Sequence, residues 1–191
     1  MYDKHGIRKY LSAAERRRFY ESAVAETDLG KKIFCLTIYF TGCRISEVLE
    51  LRVDKIDFDN EIIVVRTLKQ RENGDRPPSY RYCLVPRELL QLYRDLIKGK
   101  NLDDRLFDFS VSTGYRAVKT HMEIIGLSGA RATPRGLRHT FAVSHVLKHV
   151  PLPIIQKWMG HKDLQSTAVY LNIVSEEERY YAQQIWPKNA V

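Results

Sequence analysis

Three separated segments carry polar residues that apolar helices would not ordinarily need. The first is Thr41-Gly42-Cys43-Arg44-Ile45-Ser46-Glu47. Arg44 follows a glycine at a helix junction, where backbone N–H groups and a guanidinium can converge on one anion. Glu47, three residues on, can hold Arg44 in place, although an ordinary surface Arg–Glu pair has the same spacing. The second segment runs from Thr133 to Ala142 and contains Arg135 and Arg138. At i, i+3 they share one face near the positive end of a helix. Two like charges there are unfavourable unless something negative binds between them; the alternative is a solvated basic face. The third is Trp158-Met159-Gly160-His161, with Tyr170 nine positions later. A phenol is a weak nucleophile until it is positioned and relieved of its proton. Taken alone, Tyr170 reads equally well as a core residue and His161 as a helix cap.

These residues need a scaffold, and the patterning predicts one that is mostly helical. Ser12-Ala13-Ala14-Glu15 is a capping box that starts a helix running to about Glu26. Asp28 caps a second, deeply buried helix through Ile33, Leu36, Ile38, Tyr39 and Phe40, with Gly42 at its end. Ser46 is read as the cap of a short helix through Val48, Leu49 and Leu51. Ile56, Phe58 and Ile62 to Val65 form β-rich runs around Asp59-Asn60, a hairpin pattern, and Tyr82 to Val85 makes a third strand. Arg71 to Ser79 is a polar loop with a Pro77-Pro78 pair. Helices follow at Arg87 to Lys98 and Ser112 to Ile125, then from the Thr133 cap with Pro134 in its first turn. Short ones are expected from Pro153 to Gly160, Leu164 to Leu171 and Ser175 to Trp186. The fold class is therefore mainly α with a small three-stranded antiparallel β-sheet, α+β, in one domain and without internal repeats.

Composition agrees with a polyanionic partner. The chain has 191 residues and 31 Lys plus Arg against 23 Asp plus Glu, a net charge of +8. Each phosphate that such a surface neutralises releases condensed counterions. No apolar run approaches the length of a membrane span. Cys35, Cys43 and Cys83 are odd in number and form no C-x-x-C pair, which reads as reduced thiols in a cytosolic protein. His145 and His149 have the i, i+4 spacing of a metal pair but lack a third ligand, so no metal site is expected there.

In order and combination, Thr-Gly-x-Arg-x-Ser-Glu, then Leu-Arg-His-Thr-Phe-Ala, then Gly-His with a tyrosine nine on, resemble the tyrosine recombinase (phage integrase) family. The Leu11 to Glu15 start is similar too, and the resemblance covers about residues 10 to 186. It implies the family's catalytic-domain fold over residues 10–191, preceded by a 1–9 extension and without the family's N-terminal core-binding domain. It further implies Tyr170 as nucleophile, Arg44 and Arg138 as the two catalytic arginines, His161 as the later active-site histidine and Glu47 as a supporting acid. Lys69 resembles the catalytic lysine of the second-strand loop, with Arg66, Arg71, Arg76 and Arg81 crowding the same sheet. The family usually has His or Lys where this chain has Arg135. A guanidinium stays charged and cannot act as a base, so Arg135 is expected only to clamp. Base duty is then absent or moved elsewhere; His139 is the nearby alternative for it, but the family tends to bury that histidine, and packing is the expected role.

The implied activity is cleavage and rejoining of double-stranded DNA through a 3′-phosphotyrosine, without a cofactor. Arginines would stabilise the charge growing on the non-bridging oxygens, and Lys69 would protonate the leaving 5′-oxygen. The implied partners are DNA with inverted-repeat sites and further copies of the chain, as a homo-oligomer on DNA and a monomer when free. Ile185 and Trp186 in the tail are equally suited to docking on a neighbour or on the chain's own core. Two other readings share the motifs: a type IB topoisomerase-like enzyme and a non-enzymatic DNA-binding regulator.

Overall fold

Ser12 accepts a hydrogen bond from the Glu15 N–H at 3.2 Å, and the Glu15 carboxylate answers by accepting from the Ser12 N–H at 2.7 Å. This reciprocal cap starts α1 (Ala13–Val24) in the computed structural model, which describes residues 1–2, 5–68, 79–171, 183 and 185. Arg8 reaches the same carboxylate at 2.6 Å, which ties the 1–9 segment to the helix. Asp28 caps α2 (Leu29–Thr41), and Gly42 ends it with φ +63°. Seven of its thirteen residues are buried, so α2 is the central post against which α1 and the later helices pack. A Cβ on Gly42 would lie 2.7 Å from the Phe141 ring, so the position demands glycine twice over, for its left-handed backbone and for space.

The next helix, α3 (Ile45–Leu49), departs from the sequence reading. Its cap position is Arg44 rather than Ser46, because the Glu47 carboxylate accepts from the Arg44 N–H at 2.9 Å and supplies the cap itself. Then come β1 (Ile56–Asp57), β2 (Ile62–Arg66) and β3 (Tyr80–Leu84). They form an antiparallel sheet in the order β1-β2-β3. The turn at Asp59-Asn60 forms because the Asp57 carboxylate accepts from both N–H groups, at 3.1 and 2.9 Å. The third strand begins two residues earlier than the apolar run suggests, since Tyr80 and Arg81 pair with Arg66 and Val65. Along β3 exposure alternates, so Arg81 and Cys83 point inward while Tyr82 and Leu84 face outward.

Helices α4 (Arg87–Leu96), α5 (Val111–Ile124), α6 (Pro134–Val146), α7 (Leu152–Met159) and α8 (Gln165–Ala168) complete the described chain. The last is shorter than the pattern suggested, and Tyr170 lies just beyond it. The main core runs through α1, α2, α4, α5 and the sheet. A second apolar cluster, with Phe141, Val143, Ile155 and Met159, holds Tyr170. Among the described residues no helix is long and apolar enough to cross a membrane.

Thr133 caps α6 by accepting from the Gly136 N–H at 3.0 Å. A Cβ on Gly136 would fall 2.0 Å from the Arg131 carbonyl oxygen. Gly136→Ala is therefore expected to cost about 3 kcal/mol of stability through overpacking against rigid backbone. Urea unfolding measures it, and an unchanged midpoint would mean that the 130s turn yields freely.

Candidate active site

The second arginine is held by backbone. Arg138 is 7% exposed on α6. It donates from Nη1 to the Gly42 carbonyl and from Nη2 to the Met159 carbonyl, both at 2.6 Å. The α6 cap and the left-handed ends of α2 and α7 thus meet at one guanidinium. A guanidinium has five N–H donors, so three remain for an incoming anion. Burial, and after it the Arg44 cation, lower the Arg138 pKa to about 10, and the group stays charged at neutral pH.

Arg44 enters from the α2–α3 junction. Its Nη1 donates to Glu47 Oε1 at 2.8 Å, as the spacing predicts. The other oxygen of Glu47 takes a second cation, Arg81, at 2.6 Å. Burial works against ionisation of Glu47, but Arg81 outweighs it and holds the carboxyl below its usual range. Arg81 is a residue the sequence reading left among the basic crowd of the sheet. It is 4% exposed. Its Nε donates to the Trp158 carbonyl at 3.0 Å, its Nη1 to Thr67 Oγ1 at 3.2 Å, and its Nη2 to Cys43 Sγ at 3.1 Å as well as to Glu47. One inward position on β3 therefore braces Arg44, through Glu47, and the end of α7 that leads to His161. The signal available in the sequence was an arginine alternating with Cys83 in a strand pattern.

Tyr170 is 2% exposed. Its ring lies parallel to that of His161, with centroids 6.3 Å apart. His161 is fixed by a 2.8 Å hydrogen bond between Nδ1 and Thr167 Oγ1 on α8. The Tyr170 hydroxyl is 3.0 Å from His139 Nδ1. His139 is thus half-buried, as expected, and in contact with the phenol as well. From an i+1 position beside Arg138 it reaches the phenol itself, because α6 turns that side of the helix toward the segment after α8. Burial raises the Tyr170 pKa, while the charges of Arg138, Arg135 and Arg44 pull it down, so the net shift is upward. Arg135 is exposed on α6, and its charge also acts on His139. Arg44, Glu47, Arg138, His161 and Tyr170 thus share one site with Arg135 at its edge. Lys69 lies outside the described residues, as do Arg71, Arg76 and Trp186.

Both site histidines are neutral at pH 7. Burial first, then neighbouring arginines, lower His139 and His161 to about 4. An unfolded imidazole binds its proton near pH 6.5. Between pH 6.5 and 4 the unfolded chain takes up protons that the fold refuses, so stability falls as pH falls through that window. About 2 kcal/mol at most per histidine should be lost by pH 5. Urea midpoints from pH 7 to 4.5 test this, and His161→Asn should flatten the slope. A slope unchanged in that variant would remove His161 from the account.

Known proteins share the sequence pattern and the fold of this chain. The model of the phage integrase family matches residues 9–177. The tyrosine recombinase XerA of Saccharolobus solfataricus is 32% identical over 177 residues, covering 93% of this chain and 53% of the relative. The chain thus spans about half the length of that curated relative. A crystal structure of a XerA recombinase superposes with a TM-score of 0.73 at 28% identity, covering 94% of this chain and 65% of that one. The XerH site-specific recombinase bound to its difH substrate before cleavage gives a TM-score of 0.74 at 21% identity, covering 97% and 60%, and so shares the fold. With its mainly helical scaffold and small antiparallel sheet, the chain has the tyrosine recombinase catalytic-domain fold and belongs to the phage integrase family.

Proposed function

We propose that the chain performs the catalytic step of site-specific DNA recombination. Tyr170 attacks a backbone phosphate, a 3′-phosphotyrosine forms, and a 5′-hydroxyl from another strand reverses the step. The observation that carries this reading is a buried phenol beside His139 and His161, within the field of Arg138, Arg135 and Arg44. Such a cluster favours a bound anion, and the charge on a phosphate grows as it is attacked. Arg138 contributes its unused donors and Arg44 a partly exposed guanidinium held by Glu47, with His161 as a further donor. His139, neutral at pH 7 and in contact with the phenol, is the proton acceptor that Arg135 cannot be.

By resemblance, Lys69 protonates the leaving 5′-oxygen. The partners are double-stranded DNA with inverted repeats and further copies of the chain, which assemble on that DNA. By the same resemblance the setting is cytoplasmic, on the nucleoid. The test is a nicked duplex that loses its short 5′-hydroxyl fragment on cleavage. The protein should become covalently attached to the 3′-phosphate at Tyr170, mapped by peptide mass. DNA binding without any adduct would favour the regulator reading and defeat this one.

A further inference from the structure

Cys43 and Cys83 face one another across the junction of α2, α3 and β3, with sulfurs 4.0 Å apart. Both are buried. Cys43 sits between Gly42, whose carbonyl holds Arg138, and Arg44. Cys83 is two residues from Arg81 on the inward face of β3. The Arg81 guanidinium donates to Cys43 Sγ at 3.1 Å. Around it stand three arginines, Arg44, Arg81 and Arg138, and one buried carboxylate, Glu47, so a second anion there is electrostatically favoured. The hydrogen bond from Cys83 and the Arg81 charge lower the Cys43 thiol below its ordinary pKa, against the effect of burial. Cys83, though not Cys43, lines a cavity of about 160 Å³ with Thr41, Phe141, His145 and Trp158, so a small molecule held there would reach Cys43 past the neighbouring sulfur. That volume admits a molecule of a few heavy atoms.

We propose that Cys43 and Cys83 form an oxidisable dithiol whose reactant is a small hydroperoxide, and that closing the disulfide disables the adjacent site. The Cys43 thiolate attacks the peroxide, the O–O bond breaks, and a sulfenic acid and hydroxide form. Cys83 loses its proton and attacks the sulfenic sulfur, and the S–O bond breaks. The two sulfurs give up two electrons, and hydrogen peroxide becomes two waters. A disulfide needs sulfurs about 2.05 Å apart. The two sulfurs must therefore close by about 2 Å, which pulls on the Gly42-Cys43-Arg44 segment and takes an anionic acceptor from Arg81. Both catalytic arginines depend on that segment, one by covalent connection and the other through the Gly42 carbonyl. A displacement of about 1 Å at such groups is enough to slow chemistry roughly 100-fold.

The loss of activity rests on the recombinase reading above; the thiol chemistry does not. The full chain is treated with hydrogen peroxide, freed of it, and assayed for adduct formation on the nicked duplex, before and after dithiothreitol. Peptide masses locate the crosslink. A linked 43–83 peptide is expected, with adduct formation at least about tenfold slower and restored by dithiothreitol, which does not reverse methionine oxidation. Cys83→Ser should keep its rate in peroxide. A linked peptide with an unchanged rate, or two thiols still open to alkylation after peroxide, would overturn the proposal. Reduced protein that forms no adduct would defeat the recombinase reading instead, and the peptide masses would still decide whether the pair oxidises.

Discussion

Tyr170→Phe should abolish covalent attachment to the nicked duplex, a loss of at least about 10⁴-fold set by the sensitivity of the gel, while leaving DNA binding intact. The substitution removes one oxygen and keeps the ring. The ring is what packs against Phe141, Val143, Ile155 and Met159, so that cluster survives. The lost contact is the 3.0 Å hydrogen bond to His139, and a neutral bond of this kind contributes about 1 kcal/mol. A change of that size lowers the melting temperature by about 2–4 °C in a domain of this length. Catalysis and folding therefore separate cleanly in this variant. Fluorescence anisotropy measures binding, and a denaturing gel measures the adduct. If the phenylalanine protein still became attached to DNA, another nucleophile would be at work.

Arg138→Ala is expected to slow adduct formation about 10³-fold, and Arg135→Ala only about tenfold. Both residues are on α6, but their surroundings differ. Arg138 is buried and clamped by the carbonyls of Gly42 and Met159, so its remaining donors are preorganised toward the phenol's neighbourhood. Arg135 is exposed, and its charge reaches Tyr170 partly through solvent. Truncating Arg138 also strands two buried carbonyls, a cost of about 2–4 kcal/mol in stability. Arg138→Lys separates the two effects. It keeps a charge but cannot span both carbonyls, so folding should recover further than rate. Urea unfolding alongside single-turnover cleavage gives the comparison. Equal rate losses for the two alanine variants would show that Arg135 is as deeply engaged as Arg138.

Local chemistry made much of the scaffold legible. The Ser12–Glu15 box, the Asp28 and Thr133 caps, the glycines ending α2 and α7, and the Asp59-Asn60 turn each work over a few residues, and all appear where the pattern puts them. The Arg44–Glu47 pair is of the same kind. Where two local partners compete, the helix starts two residues before the expected cap, at Arg44 instead of Ser46, because the Glu47 carboxylate caps α3. The candidate residues, too, could be named from ordered motifs.

What the chain pattern alone could not decide is which distant groups meet. Arg81 finds Glu47 across 34 residues and Trp158 across 77, Arg138 finds Gly42 across 96, and His139 finds Tyr170 across 31. None of these partners is implied by periodicity, because a period specifies only the face a residue lies on. Which buried groups share a charge, a proton or a sulfur contact depends on how the faces of different elements are brought together. Packing set that, and it turned one basic strand residue into a brace, one half-buried histidine into a neighbour of the phenol, and two cysteines 40 residues apart into a pair.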